Sequence, residues 1–139
     1  MSRNRGLNVT VIAALLIAGY FLTFRGDRER PASGAAMVQV SVPPLDGAAS
    51  EGERVFNDYC ASCHGPDAAG REGIAPPLIH RIYEPSHHAD GSFLLAVRQG
   101  VRAHHWPFGN MPPVEGLTDR QVEQIVAYIR MLQRANGIR

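Results

Sequence analysis

Cys60-Ala61-Ser62-Cys63-His64 is the stretch whose reading decides the fold. Two thiols three residues apart, with an imidazole directly after, sit on about one helical turn. Such a turn can offer both sulfurs to the two vinyl groups of a single haem and set the imidazole beneath its iron. C-x-x-C-H is the signature of that attachment. The chain has no other cysteine. A disulfide between the two would close a very small loop and so stabilise little. A redox dithiol of the thioredoxin kind needs a strand–helix–strand setting, and the flanking sequence reads as helix and loop. A structural zinc site needs a second ligand pair, and there is no second Cys pair.

Upstream of the motif, Ser50 to Tyr59 reads as a short helix. Ser50 is a candidate N-cap, and Glu51 and Glu53 fall in its first turn, where the helix dipole favours acids. Val55, Phe56 and Tyr59 follow a helical stripe. Downstream, residues 65–85 are punctuated by Gly65-Pro66, Gly70, Gly73 and Pro76-Pro77 and read as loop. Asp90 is placed to cap a helix over Phe93 to Gln99 that stops at Gly100. Residues 101–117 are loop again. The last helix has the clearest signals. Thr118 and Gln121 suit a capping box, and Leu117 and Val122 a hydrophobic staple. Val122, Ile125, Val126, Ile129 and Leu132 make one apolar stripe. The expected fold class is all-α, with loops long enough to need something central to organise them.

The chain has 139 residues, so one small domain plus an appendage is expected. Residues 7–24 carry no charge. As a helix they would run about 27 Å, just short of the roughly 30 Å hydrocarbon core of a bilayer. Tyr20, Phe21 and Phe24 cluster at one end as an interfacial belt would. A cleaved signal peptide should have a shorter apolar region and a small-residue cleavage site close behind. Arg25-Gly26-Asp27-Arg28-Glu29-Arg30 follows instead. We therefore expect a membrane anchor over 1–24, a flexible linker over 25–49 and a folded head over 50–139. In the linker Val38, Val40 and Val42 alternate with other residues but have no evident strand partner, so an extended course is expected. Net charge is +1, which gives no electrostatic case for nucleic acid.

Residues 50–137 resemble the class I cytochromes c, in their membrane-anchored bacterial form. The resemblance rests on the C-x-x-C-H string and on Met111-Pro112-Pro113, which lies 47 residues after His64 on a loop before the last helix. It implies helices wrapped around one covalent haem c, held by Cys60 and Cys63, with iron ligated by His64 and Met111. A soft thioether suits iron, and His/Met ligation raises the potential. Further positions map one at a time. Gly52 and Phe56 look like the pair by which the first helix crosses the last, with Tyr128 on the other side. Pro76 and Leu78 resemble the family's Pro-x-Leu, in which the Pro carbonyl accepts the proximal histidine's Nδ1–H and the Leu packs on the haem. Pro77 is a close competitor for that role. Trp106 stands where some small bacterial members direct an indole N–H to a haem propionate, and core packing is its alternative. Arg98 and Arg102 are candidates for propionate contact or solvated surface.

His80, His87, His88, His104 and His105 depart from a generic member. Loop residues at the haem rim are the simplest reading. A second metal such as copper, or an iron ligand replacing Met111, are the others. Adjacent histidines ordinarily diverge, so each pair alone is a poor chelate. With both axial positions filled from the chain, no coordination site is left for a substrate. The expected function is one-electron transfer without catalysis, between membrane respiratory complexes such as a quinol-oxidising complex and a terminal oxidase. A fixed subunit of one oxidoreductase and a haem-based sensor or metal-handling protein are the alternatives. In the bacterial relatives haem c is attached outside the cytoplasmic membrane. The resemblance therefore implies a single-pass protein of that membrane with a periplasmic head. The head carries nine Arg against ten Asp and Glu, so long-range charge steering should contribute little and a tether should supply encounters.

Overall fold

Thr118 starts the longest helix of the head as its local sequence dictates. Its hydroxyl accepts the Gln121 N–H, and the Gln121 side chain accepts the Thr118 N–H at 2.9 Å. In the computed structural model, which describes Gly19 and residues 33–139, four α-helices can be delimited. They are α1 (Gly47–Tyr59), α2 (Ala61–His64), α3 (Asp90–Gln99) and α4 (Asp119–Ala135), with short 3-10 turns at Pro66–Ala68 and Arg81–Tyr83. Among the described residues there is no strand, only the isolated bridges Arg71–Ala75 and Val101–Met111. The all-α expectation for the head holds. The anchor expected over 1–24 lies outside the described residues apart from Gly19, as do residues 25–32 of the linker. Among the described residues no helix is long and apolar enough to cross a membrane.

The core is built where α1 crosses α4. Gly52 makes the crossing possible, because a Cβ there would lie 1.9 Å from the Gln124 carbonyl oxygen. One turn on, Phe56 meets Tyr128 with ring centroids 5.5 Å apart at 54°. Both rings are fully buried. The whole stripe Val122, Ile125, Val126, Ile129 and Leu132 is buried beside them, with Leu117 at its start. Burying a side chain of this size favours folding by roughly 1.5–3 kcal/mol, and among the described residues this crossing is the most extensive contact between two helices.

Three local expectations are corrected. Helix α1 begins at Gly47, with Asp46 as its extended N-cap, so Ser50 is not the cap and Glu51 and Glu53 are not in the first turn. Ala48 and Ala49 are good helix formers, and Ala49 is drawn into the core, which lengthens the helix backwards. Asp90 is the first residue of α3, after the N-cap Ala89. Its carboxylate accepts instead from Arg130 Nε at 2.8 Å. The third correction concerns the second half of the linker, residues 33–46, which are extended and bonded to the head. Met37 and Val38 donate to the Ala69 carbonyl, and Glu72 N–H donates to Ala35. Ser41 N–H donates to Asn136 Oδ1, and Asn136 Nδ2 donates back to the Ser41 carbonyl, both at 2.9 Å. Val38, Val40 and Leu45 pack on the core. The partners that hold this strap come from the 69–72 loop and the end of α4, far away in sequence.

Two polar side chains of α4 fasten the long loop before α3. Arg130, 7% exposed, donates to the carbonyls of Tyr83 and His88 and to Gln133 Oε1. Gln133 donates to the carbonyls of Leu78 and Tyr83 at 2.9 and 3.0 Å. Buried donors need such partners, and here they are found in the backbone between α2 and α3, outside any α-helix.

Candidate haem site

Ala61–His64 of the motif form α2, and Cys60 is the single residue that joins it to α1. Cys60 and Cys63 are free thiols, the first half-buried and the second exposed. Burial, helped by the neighbouring Cys63, pushes the Cys60 thiol up to about 11. His64 Nδ1–H donates to the Pro76 carbonyl at 2.9 Å. A carbonyl only accepts, so the proton belongs on Nδ1 and the Nε2 lone pair is left for a metal. Burial holds the His64 pKa below its ordinary value, opposed by that same bond, and the ring is thus kept neutral. Of the two competing prolines it is Pro76 that takes the ring. Pro77 is instead fully buried.

Beside the motif lies a cavity of about 340 Å³. Phe56, Leu78, Phe93, Val97, Ile125 and Ile129 give it apolar walls, and Cys60, His64 and Pro76 also line it. Met111 lines the same cavity from the loop between α3 and α4. That loop is closed by a reciprocal pair of 2.9 Å bonds between Val101 and Met111. The pairing needs Gly100, which has φ of +72° and where a Cβ would lie 2.5 Å from the Met111 carbonyl oxygen. Trp106 lies on the cavity wall, stacked on Phe108 with centroids 5.8 Å apart. Its indole Nε1 is buried and makes no hydrogen bond. The N–H approaches the Tyr83 hydroxyl, whose pKa is raised by burial against an opposing effect of the indole, but without hydrogen-bond geometry.

This arrangement fits a covalent haem. It offers two free thiols at the edge of an apolar cavity, an oriented imidazole and a thioether on its walls, and one buried donor that lacks an acceptor. Cys60, His64, Pro76, Leu78, Trp106 and Met111 are on the cavity wall, and the exposed Cys63, Arg98 and Arg102 are not. Arg98 is not a free cation near it. Its guanidinium donates to the Leu117 carbonyl at 3.0 Å and pairs with Asp119, which pins α3 to the start of α4. Gly100, Arg130 and Gln133 position the site and escaped sequence reasoning. Gly100 was legible only as a helix stop, and nothing local marks Arg130 or Gln133 as internal rather than solvated.

The cytochrome c family pattern matches residues 49–133. The chain belongs to the cytochrome c family. As a class I cytochrome c it carries covalently bound haem c with its iron, attached through the Cys60–Cys63–His64 motif. Among curated proteins it is similar to the Cbb3-type cytochrome c oxidase subunit FixPc of Rhizobium leguminosarum bv. viciae, at 33% identity over 94 residues. That stretch is 66% of this chain and 30% of the relative, so the chain spans about a third of the curated relative's length. No solved structure matches at a significant level.

Proposed function

We propose that this cytochrome c is a one-electron carrier of a membrane respiratory chain, with iron ligated by His64 and Met111. The observation that carries the reading is that His64 and Met111 line one apolar cavity, each held by backbone. Bound haem supplies a one-electron iron couple, tuned upward by a thioether ligand. The chain's own residues do the rest. Pro76 fixes the His64 ring. Gly100 and Val101 hold the Met111 loop. Leu78 and the α4 stripe would exclude water, and Trp106 Nε1, buried without a partner on the cavity wall, would be available to a haem propionate. With both axial ligands drawn from the chain, the reading is a carrier rather than a catalyst.

The anchor over 1–24, the cytoplasmic-membrane location and the periplasmic head are part of the same proposal. The likeness to an oxidase subunit supports a terminal oxidase as electron acceptor. It equally favours a second reading, in which this chain is a standing subunit of such a complex. Purification in mild detergent separates them: a carrier elutes alone, and a subunit elutes with the oxidase. For the ligand set, Met111→Ala should abolish the weak long-wavelength charge-transfer band of oxidised iron–thioether ligation. It should also lower the potential and open the reduced protein to carbon monoxide. An unchanged spectrum would remove Met111 from the iron.

A further inference from the structure

Four histidines from two loops meet at the rim of the haem cavity. His87 and His88 end the loop before α3, and His104 and His105 lie on the loop after it. Ring centroids are 4.7 Å apart for His87–His88, 5.2 Å for His87–His105, 5.5 Å for His88–His105 and 4.2 Å for His104–His105. One ring nitrogen from each of His87, His88 and His105 lies within 4.8 Å of the others. We propose that His87, His88 and His105 form a second metal site, for a late first-row divalent cation of the zinc or copper class, distinct from the haem iron.

Adjacent histidines ordinarily diverge, and here they do not. The Nδ1 atoms of His87 and His88 both bond to one oxygen, the Ile82 carbonyl, at 2.9 and 2.6 Å. His104 Nδ1 bonds to the Arg102 carbonyl at 2.7 Å. Since carbonyls only accept, each of these three Nδ1 atoms is the donor, and in a neutral ring Nε2 is then the lone pair. Metal-binding histidines are commonly oriented in this way, with the other ring nitrogen donating to a backbone carbonyl. Among the described residues no carboxylate hydrogen-bonds to any of the four rings, so no ion pair competes for them.

The backbone beneath the cluster is fixed. Arg130 clamps the carbonyls of Tyr83 and His88, and the N–H groups of His87 and His88 both donate to Glu84. On the facing loop, Ala103 N–H donates to Asn110 Oδ1 at 2.9 Å, above the Val101–Met111 bridge. Imidazole ligands suit zinc, copper, nickel and iron, and affinity peaks at Cu²⁺ along the divalent series. Zinc–nitrogen bonds of about 2.0–2.1 Å in a tetrahedron put ligand nitrogens roughly 3.3 Å apart. The 4.8 Å spread of ring nitrogens exceeds this, so the rings must close on a bound ion, and His87 and His105 are exposed. Three imidazoles leave the fourth position to water or to His104.

The test is calorimetric titration of Zn²⁺ into the haem-loaded, full-length protein in detergent after chelator treatment. We expect one equivalent bound with micromolar or tighter affinity. H105Q should weaken it at least about tenfold, and the double variant H87Q/H105Q should lose the stoichiometric step. The visible haem spectrum should be unchanged in both variants, which also reports that the head is folded. Absence of a one-equivalent step in the parent protein overturns the proposal, as does its survival in the double variant. A changed haem spectrum overturns it too, by assigning these rings to the iron. None of these outcomes depends on Met111.

Discussion

Where α1 crosses α4 the chain packs on itself, and around the cavity it packs on little of its own. At the crossing, Gly52 touches the Gln124 carbonyl and Phe56 touches Tyr128, with no gap for another group. Around the cavity, the loops at 65–89 and 101–117 are held by hydrogen bonds, among them those of Arg130, Gln133 and Val101, rather than by helix packing. Their apolar side chains, Leu78 and Met111 among them, face a space of about 340 Å³. The difference teaches that the head has two sources of order. One is helix packing, complete in the polypeptide. The other is the apolar surface of the haem, on which the loops depend.

Removing the haem should break the comparison most severely. In Cys60→Ala/Cys63→Ala no covalent haem should form, and cooperative thermal unfolding should disappear, because much of the buried apolar contact is lost. Calorimetry that still shows the parent transition would mean that the crossing suffices for the whole head. Next in size is Gly52→Ala. The new methyl cannot coexist with the Gln124 carbonyl, so α1 must move off α4. Overpacking of this kind costs about 3 kcal/mol, read by denaturant unfolding of the holoprotein. A loss under 1 kcal/mol would show that the crossing is softer than it looks.

Arg130→Gln sharpens the other side. It leaves the Tyr83 and His88 carbonyls with fewer donors and should cost about 2 kcal/mol. The ion pair itself contributes little of this, because Asp90 is mostly exposed and exposed carboxylates are screened. Hydrogen exchange should quicken over residues 83–92 and stay slow in α1. Equal quickening in both would mean that the loops and the crossing open as one unit. The smallest effect is that of Thr118→Ala, which removes one half of the capping box for about 1 kcal/mol. It should lower the melting temperature by a few degrees and leave the haem spectrum untouched.

Sequence alone determined whatever depends on neighbours along the chain. The haem motif is legible because its three functional atoms must share one turn. The start of α4 is legible because Thr118 and Gln121 cap each other across three residues, and its buried face because the apolar spacing is helical. Gly52, Phe56 and Tyr128 were legible through the family resemblance. Tertiary structure decided everything that depends on a distant partner. It chose Pro76 over Pro77 for the His64 ring, since only the folded loop says which carbonyl arrives there. It turned residues 33–46 from linker into a strap by bringing up Ala69 and Asn136. It took Arg98 away from the haem rim by giving it Asp119. It also drew His87 and His88 together, against the divergence their adjacency implies, because the Ile82 carbonyl is an acceptor for both. A hydrogen bond between residues far apart in the chain depends on where both ends come to rest, and no local spacing encodes that.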